Sequence, residues 1–345
     1  MVKKELKGLT ALRCYSAFYV VIFHLNRRVP IDFGHYINKF ISNGAVGMSF
    51  FFILSGFVMA YNYNSDNLKN YYIKRFLRIY PAYFFMGVLT LPFLFIMGYE
   101  NKTILTSLLI FIVPIQSWFY QSFGIWNFGG SWSISTELFF YILFPTILTM
   151  IKDKNLIVVL ILSYILSSLI IPLSKELSVN INSVFSVYYA TPIYRLPEFV
   201  IGVSLGKLYL SGMRVGKGLF LFSLFIFIYT MTKNNDFYMG SNYILIPSII
   251  VVILYLAHVD IGFGFFSKVV IFLGKISFSF YLMQLPLLML VDYINPVIES
   301  NSEKVIFWFV FLLVNTFFSF LSYKYIESNK RISEYLFGIY KRCKS

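Results

Sequence analysis

The first residues that could carry chemistry are an arginine and a histidine inside one apolar run. Arg13 and His24 lie in LRCYSAFYVVIFHL at 12–25. Eleven residues of helix rise about 16 Å and return to within about 20° of the same face, so both side chains should point into one groove. Ionisable groups in membrane spans usually face a bundle interior and mark a function. Alternatively, Arg13 snorkels to the interface and His24 is a satisfied interfacial histidine.

Two arginines three residues apart form the second candidate group. Arg75 and Arg78 lie in KNYYIKRFLRIYPAYFF at 69–85 and should project from one helix face at the edge of a span. Planar, permanently charged guanidinium groups suit phosphates better than lysines do. Anchoring of the span by positive charge explains the same pair, and the pattern by itself favours that alternative.

The third candidate stretch is NFGGSWSISTELFFYILFP at 127–145. We expect Gly129 and Gly130 to break the chain and Ser131 to cap the helix that follows. Glu137 would then lie about one and a half turns inside that helix.

A carboxylate at that depth needs a partner. We predict that His24 or Arg13 pairs with Glu137, because a carboxylate that receives an imidazole N–H fixes its tautomer and supports a general base. An interfacial Glu137 in contact with water is equally compatible with the pattern.

Two further stretches carry weaker polar signals. Arg195 and Glu198 in YRLPEFVIGVSLG are spaced for an internal ion pair, and LGKISFSFYLMQLP places several hydroxyls and Gln284 in an apolar run. Such groups line cavities or bind helices together, the latter more commonly. With three histidines, two cysteines and no HExxH or CxxC pattern, we predict no metal site.

The composition defines the environment in which these residues must be placed. The chain has 345 residues, of which 58% are apolar, 21% aromatic and 13% charged, a balance that excludes an ordinary soluble domain. Its net charge of +14 sits in short loops between apolar runs. That pattern is typical of topogenic charge facing anionic lipid, so we expect membrane lipids and no nucleic acid as partners.

Ten apolar runs are long enough to cross a bilayer core of about 30 Å. They are 9–25, 44–62, 79–97, 132–150, 155–172, 196–211, 218–231, 243–257, 269–291 and 304–322. An eleventh run, 103–119, contains Pro114 and is either a span or a re-entrant or interfacial piece. If it does not cross, 18 of the 29 Lys and Arg residues fall on the cytosolic side and 8 outside, as the positive-inside rule requires.

The sequence therefore predicts an all-α integral membrane protein, a polytopic bundle of about ten helices with both termini cytosolic. We expect one membrane domain over 1–345, with a basic cytosolic tail at about 324–345 and no appended soluble domain.

Taken in order, these elements resemble the acyltransferase-3 family of integral-membrane acyltransferases, which includes bacterial O-antigen and capsule O-acetyltransferases. The resemblance covers nearly the whole chain. Its best markers are Arg13 with His24, FFILSGF at 51–57, Arg75 with Arg78 before IYPAY, and WSISTE from Trp132 to Glu137. Weaker markers are RLPEF at 195–199, ISFSFYL at 276–282 and YIE at 325–327. Two positions depart from the family: Ser49, where relatives often carry Asp, and Gln284, where many carry His.

The resemblance implies a multi-pass enzyme of the bacterial cytoplasmic (inner) membrane. It would pass an acyl group, usually acetyl, from acyl-CoA in the cytosol to a glycan hydroxyl, possibly on a lipid-linked precursor. Acetyl-CoA is then a donor substrate and no cofactor is bound permanently. A transporter or flippase for a lipid-linked sugar is the alternative, although no matched halves are visible. The oligomeric state stays open.

Roles for the candidate residues follow from the same resemblance. Arg75 and Arg78 would hold the CoA phosphates, and His24 would act as general base or accept the acyl group itself. Glu137 would orient or balance His24, and Arg13 would be its electrostatic partner or a donor contact. The substrate sugar would meet Trp132 and Ser133, the former by stacking.

Overall fold

The predicted all-α class is confirmed. The computed structural model describes residues 4–63, 68–176, 187–233, 238–262 and 264–329, and over these ranges the chain is helical, with no β-strand. A helix satisfies its backbone hydrogen bonds internally, which is what an apolar run needs in a bilayer. The predicted basic tail lies outside the described residues from position 330 onward.

Fourteen α-helices follow one another in these ranges. They are α1 (Lys7–Asn26), α2 (His35–Ser42), α3 (Gly47–Asn62), α4 (Leu68–Ile96), α5 (Asn101–Ile112), α6 (Phe128–Met150), α7 (Leu156–Glu176), α8 (Val187–Ala190), α9 (Pro192–Leu210), α10 (Lys217–Lys233), α11 (Asn242–His258), α12 (Phe265–Lys275), α13 (Ser277–Ile294) and α14 (Asn301–Ser322). A π-helical turn, Tyr323–Glu327, continues α14.

Local sequence signals fix the ends of several helices. Ser300 and Glu303 form a capping box at the start of α14, where the Glu303 N–H donates to the Ser300 hydroxyl oxygen over 3.2 Å. α9 ends at Leu210, and the φ of +88° at Gly212 just beyond it lets the N–H of Met213 donate to the Leu208 carbonyl.

Eight helical segments in the described part of the chain are long and apolar enough to cross a membrane. They are Lys7–Asn26, His35–Asn62, Asn70–Ile96, Phe128–Met150, Asp153–Leu173, Tyr238–His258, Ser277–Ile294 and Asn301–Glu327. Two of the ten predicted spans, in α9 and α10, fall outside this set, because α9 contains three charged residues and α10 has 17 residues. The chain is a multi-pass membrane protein, whereas the count of ten and the cytosolic termini stay predictions.

The prediction that 269–291 forms one spanning helix is wrong. α12 ends at Lys275 and α13 begins at Ser277. The Lys275 ammonium pairs with Glu5 over 3.2 Å, and both side chains are 45% exposed. The chain turns where this charge can stay accessible, because a lysine inside the bilayer is expensive. With 18 residues, α13 alone has the length to cross.

The run 103–119 does not form a spanning helix. α5 has 12 residues, which extend about 18 Å and fall short of the bilayer core. Tyr83 and Tyr80 of α4 donate hydrogen bonds to the carbonyls of Phe111 and Ile112, over 3.0 and 2.9 Å. The backbone carbonyl groups at the end of α5 thereby have hydrogen-bond donors, so the helix can end there. Its short length supports the prediction that this run does not cross.

The described chain divides into two compact units. Unit 1 comprises residues within 1–64 and 143–277, and unit 2 comprises residues within 65–142 and 278–345. Arg13 and His24 belong to unit 1, whereas Arg75, Arg78, Trp132, Ser133 and Glu137 belong to unit 2.

Within unit 1, α3 and α9 lie side by side in parallel. A Cβ atom added to Gly202 would lie 2.0 Å from the carbonyl oxygen of Ile53, and one added to Gly206 would lie 2.7 Å from that of Phe57. These contacts are four residues apart on both helices. Gly56 meets the backbone of α9 in the same way. Small residues thus allow a close helix crossing, as expected for Gly56.

A buried ion pair within α9 is linked to α3 through Ser49. The predicted pair is confirmed: Arg195 Nη2 lies 2.9 Å from Glu198 Oε2, and the two side chains are 0% and 1% exposed. Ser49 of α3 donates to Glu198 Oε1 over 3.1 Å and accepts from Arg195 over 3.0 Å. Arg195 also donates to the Tyr238 hydroxyl. Ser49 therefore completes the pair at the position where relatives often carry Asp.

Arg195→Met should destabilise the protein strongly, because it leaves the Glu198 carboxylate buried without its cation. We expect a loss of about 3–5 kcal/mol in the free energy of unfolding, measured by denaturant titration of the detergent-solubilised chain. Lys275→Met, which breaks the exposed pair with Glu5, is the control and should change little. Equal effects of the two substitutions would contradict this account.

Candidate functional site

One continuous helix carries both ionisable residues of the first predicted group. Arg13 and His24 lie on α1, which has no break between them, and both side chains are half-buried. The predicted helix is therefore confirmed.

Two arginines just beyond α1 surround the end that carries His24. Arg28 Nη1 donates to the carbonyl oxygen of His24 over 3.2 Å, and Arg27 lies 5.8 Å from the centre of the Phe23 ring. Both positive charges act on the imidazole. Burial and the neighbouring Arg28 lower the pKa of Arg27. Their i+3 and i+4 spacing from His24 is the sequence signal for this proximity.

Close packing holds α1 within unit 1. A Cβ atom on Gly8 would lie 2.1 Å from the carbonyl oxygen of Leu256 in α11, and one on Gly274 of α12 would lie 2.0 Å from that of Thr10. Backbone contacts of this kind fix the position of a helix, because neither side can yield cheaply. His24 is therefore carried by a constrained element.

In unit 2, two aromatic rings hold Arg75. Its guanidinium carbon lies 5.7 Å from the ring centres of both Tyr71 and Tyr141, and Tyr71 donates to the Tyr141 carbonyl over 3.0 Å. Arg78 is exposed. A guanidinium group against aromatic faces is held by cation–π attraction and keeps its N–H groups available to an anion. A phosphate-binding role for these two arginines stays a prediction.

The tyrosine that contacts Arg75 also contacts the carboxylate. The Tyr141 hydroxyl donates to Glu137 Oε1 over 2.5 Å. α6 begins at Phe128, so Glu137 lies about two and a half turns inside it. The Glu137 charge also acts on the hydroxyl of Tyr281 in α13. Sequence reasoning missed Tyr141, although its i+4 spacing from Glu137 was the available signal. Tyr281 was among the hydroxyls predicted to line a cavity or bind helices together.

The predicted sugar-contacting residues lie in the interior of unit 2. Trp132 and Ser133 are buried. Ser133 donates to the Tyr281 hydroxyl oxygen over 2.9 Å, and Tyr281 donates to the Gly130 carbonyl over 2.7 Å. A sugar contact for these residues stays a prediction, as does the pairing of Glu137 with His24.

The expected chain break at Gly129 and Gly130 is wrong. Both lie inside α6, and Ser131 is not a cap but an internal residue whose N–H donates to the Asn127 carbonyl. A Cβ atom on Gly130 would lie 1.8 Å from Leu285 Cδ2 of α13. Gly130 is thus needed for helix packing and not for a turn.

No group of three or more His, Cys, Asp or Glu side chains that could hold a metal ion occurs among the described residues.

The chain was compared with known proteins. A family model described as an acyltransferase domain matches residues 6–324. The chain belongs to the acyltransferase-3 family. No solved structure matches it.

Curated relatives carry names from the same class. The chain is 23% identical to O-acetyltransferase OatA of Staphylococcus aureus over 363 residues, covering 94% of this chain and 57% of that protein. It is 24% identical to acyltransferase MdmB of Streptomyces mycarofaciens over 304 residues, covering 81% and 78%. The chain thus spans little more than half of the length of the first of these relatives.

Substitution of Tyr141 should separate its two contacts. Tyr141→Phe removes the hydrogen bond to Glu137 and keeps the ring beside Arg75, whereas Tyr141→Leu removes both. We expect faster modification of Arg75 by phenylglyoxal in Tyr141→Leu only, measured by peptide mass spectrometry with exposed Arg78 as internal reference. If the two variants behave alike, the ring does not hold the guanidinium group.

Proposed function

We propose that the protein is a membrane O-acyltransferase that moves an acetyl or other acyl group from acyl-CoA on the cytosolic side to a hydroxyl of a surface-polysaccharide sugar or its lipid-linked precursor. The observation that carries this proposal is the arrangement in unit 2, where Tyr141 links the aromatic-held Arg75 to the Glu137 carboxylate. Such an arrangement joins an anion-binding group to an acid–base group in a chain of the acyltransferase-3 family.

Arg75 and Arg78 would bind the phosphates of the donor. Three charged phosphate groups make CoA a polyanion, and guanidinium groups bind phosphate oxygens through paired N–H donors. The tyrosine rings of Tyr71 and Tyr141 limit the conformations of Arg75, which reduces the entropy lost when the donor binds. Acyl-CoA is a substrate in this scheme and no resident cofactor is required.

His24 would activate the acceptor. Its imidazole removes the proton from a sugar hydroxyl while the oxygen attacks the thioester carbonyl carbon. The C–S bond then breaks, and the CoA thiolate takes the proton from the imidazolium, so the balance is one ester and one thiol formed. In the covalent variant, the imidazole attacks the thioester carbon, the C–S bond breaks and CoA leaves as the thiol with the imidazole proton. The sugar hydroxyl then takes the acyl group from the acyl-imidazole and returns its proton to the imidazole. Glu137 would orient or balance His24, and Arg13 would support it electrostatically or contact the donor.

The acceptor class rests on similarity. OatA is named an O-acetyltransferase, which supports a hydroxyl acceptor and an acetyl group. A surface glycan is the acceptor implied by the family resemblance. Trp132 and Ser133 would lie beside the sugar, and the enzyme would work in the bacterial inner membrane.

His24→Ala and Arg75→Ala should each abolish O-acetylation while the protein stays in the membrane at normal abundance. The test is proton NMR of surface polysaccharide from a gene deletion complemented with each variant, scored by O-acetyl methyl signals that base treatment removes. His35→Ala is the matched control, because His35 is an exposed histidine of α2, and it should restore the signals.

Full acetylation by the His24→Ala variant would show that His24 is not the catalytic base. An unchanged polysaccharide in the deletion strain would exclude this acceptor, and labelled acetyl-CoA with other hydroxyl acceptors would then be tested.

A further inference from the structure

A fully buried glutamine in unit 2 has no partner within the described chain. Gln284 of α13 is 0% exposed, and neither Oε1 nor Nε2 has a hydrogen-bond partner among the described residues. The same holds for Oδ1 of Asn315 and the hydroxyl of Ser319 on α14, both also 0% exposed. Unpaired buried polar groups cost free energy, most of all inside a membrane. A bound ligand would explain why these four buried atoms have no partner within the described chain.

The three side chains belong to two helices in contact, Gln284 to α13 and the other two to α14. Asn315 Nδ2 donates to the Phe280 carbonyl over 3.2 Å, and Phe280 is one helical turn before Gln284. Asn315 and Ser319 are four residues apart and share a face of α14. We call Gln284, Asn315 and Ser319 the amide seam.

The amide seam adjoins the candidate site of unit 2. Tyr281 lies three residues before Gln284 and so on the same side of α13. Tyr281 accepts from Ser133 and lies within electrostatic reach of Glu137, which in turn binds Tyr141 beside Arg75. A molecule whose anionic end met Arg75 could therefore extend past Tyr281 to the amide seam.

The free atoms of the seam define the chemistry of a ligand. Gln284 offers a donor and an acceptor, Asn315 offers an acceptor and Ser319 offers either. A phosphate would leave the acceptors unpaired and would bring charge to a site with no cation among its three residues. A neutral chain with secondary amides matches the set, since each amide presents one N–H and one carbonyl.

We infer that the amide seam binds the pantetheine arm of the acyl-CoA donor, which carries two secondary amides between its diphosphate and its thioester. The inference rests on the proposed function. Gln284 accepts from the N–H of one amide and donates to the carbonyl of the other, and Asn315 Oδ1 accepts from the remaining N–H. Along CoA the diphosphate precedes the two amides, and in unit 2 Arg75 is followed by Tyr281 and then by Gln284, so the two orders match.

Gln284→Met tests this, because methionine keeps the length of the side chain and removes both polar atoms. The full chain in nanodiscs is titrated with acetyl-CoA and with 3′-phosphoadenosine 5′-diphosphate, the nucleotide half of CoA. We expect acetyl-CoA affinity to fall about tenfold, nucleotide affinity to stay unchanged, and the melting temperature of the free protein to hold or rise. Ser319→Ala, a smaller change, should weaken acetyl-CoA in the same selective way.

Gln116→Met is the matched control. Gln116 is a buried glutamine of unit 2 that donates to Ser131 O and Oγ over 2.9 and 3.2 Å. Its loss should lower the melting temperature and leave the ratio of the two affinities unchanged.

Unchanged acetyl-CoA affinity in both seam variants would overturn the inference, as would equal losses for the two ligands. If the unmodified protein fails to bind acetyl-CoA, the proposed donor falls as well, and that outcome is visible without any variant.

Discussion

Burying an ionised side chain in a bilayer is costly unless the charge is paired, and this constraint shapes both units. In unit 1, Arg195 is enclosed by Glu198 and Ser49 and lies 5.4 Å from the Tyr189 ring. The pair belongs to α9, and Ser49 of α3 is hydrogen-bonded to it. This contact sets the register in which Gly202 and Gly206 of α9 pack against the backbone of α3. Breaking the pair would leave a charge where neither water nor lipid can solvate it.

Unit 2 meets the same constraint with tyrosines. Arg75 lies between two rings, and Tyr141 joins it to Glu137. Among the described residues no carboxylate forms an ion pair with Arg75, so its N–H groups stay available to an anionic substrate. The Arg195–Glu198 pair of unit 1 thus stabilises the fold, whereas Arg75 of unit 2 stays available to a substrate.

Sequence reasoning found the elements whose signals are local. Helical spacing placed Arg13 with His24 and Arg195 with Glu198, and hydrophobic runs gave the all-α membrane class. It failed where contacts between residues far apart in the sequence determine the structure. Gly130 reads as a chain break but accommodates Leu285, and the break before Ser277 depends on where Lys275 can stay accessible. Tyr281 was predicted to line a cavity or bind helices together, but its partner could not be identified, because Ser133 lies far away in sequence.

The central claim, that a donor bound on one side of the membrane acylates an acceptor on the other, can be measured directly. Purified protein is reconstituted in proteoliposomes with base-treated surface polysaccharide sealed inside and acetyl-labelled CoA added outside. The account predicts that base-labile label appears on the enclosed polysaccharide and that free CoA accumulates outside. Transfer that requires donor and acceptor on the same side, or no transfer in either arrangement, would contradict it.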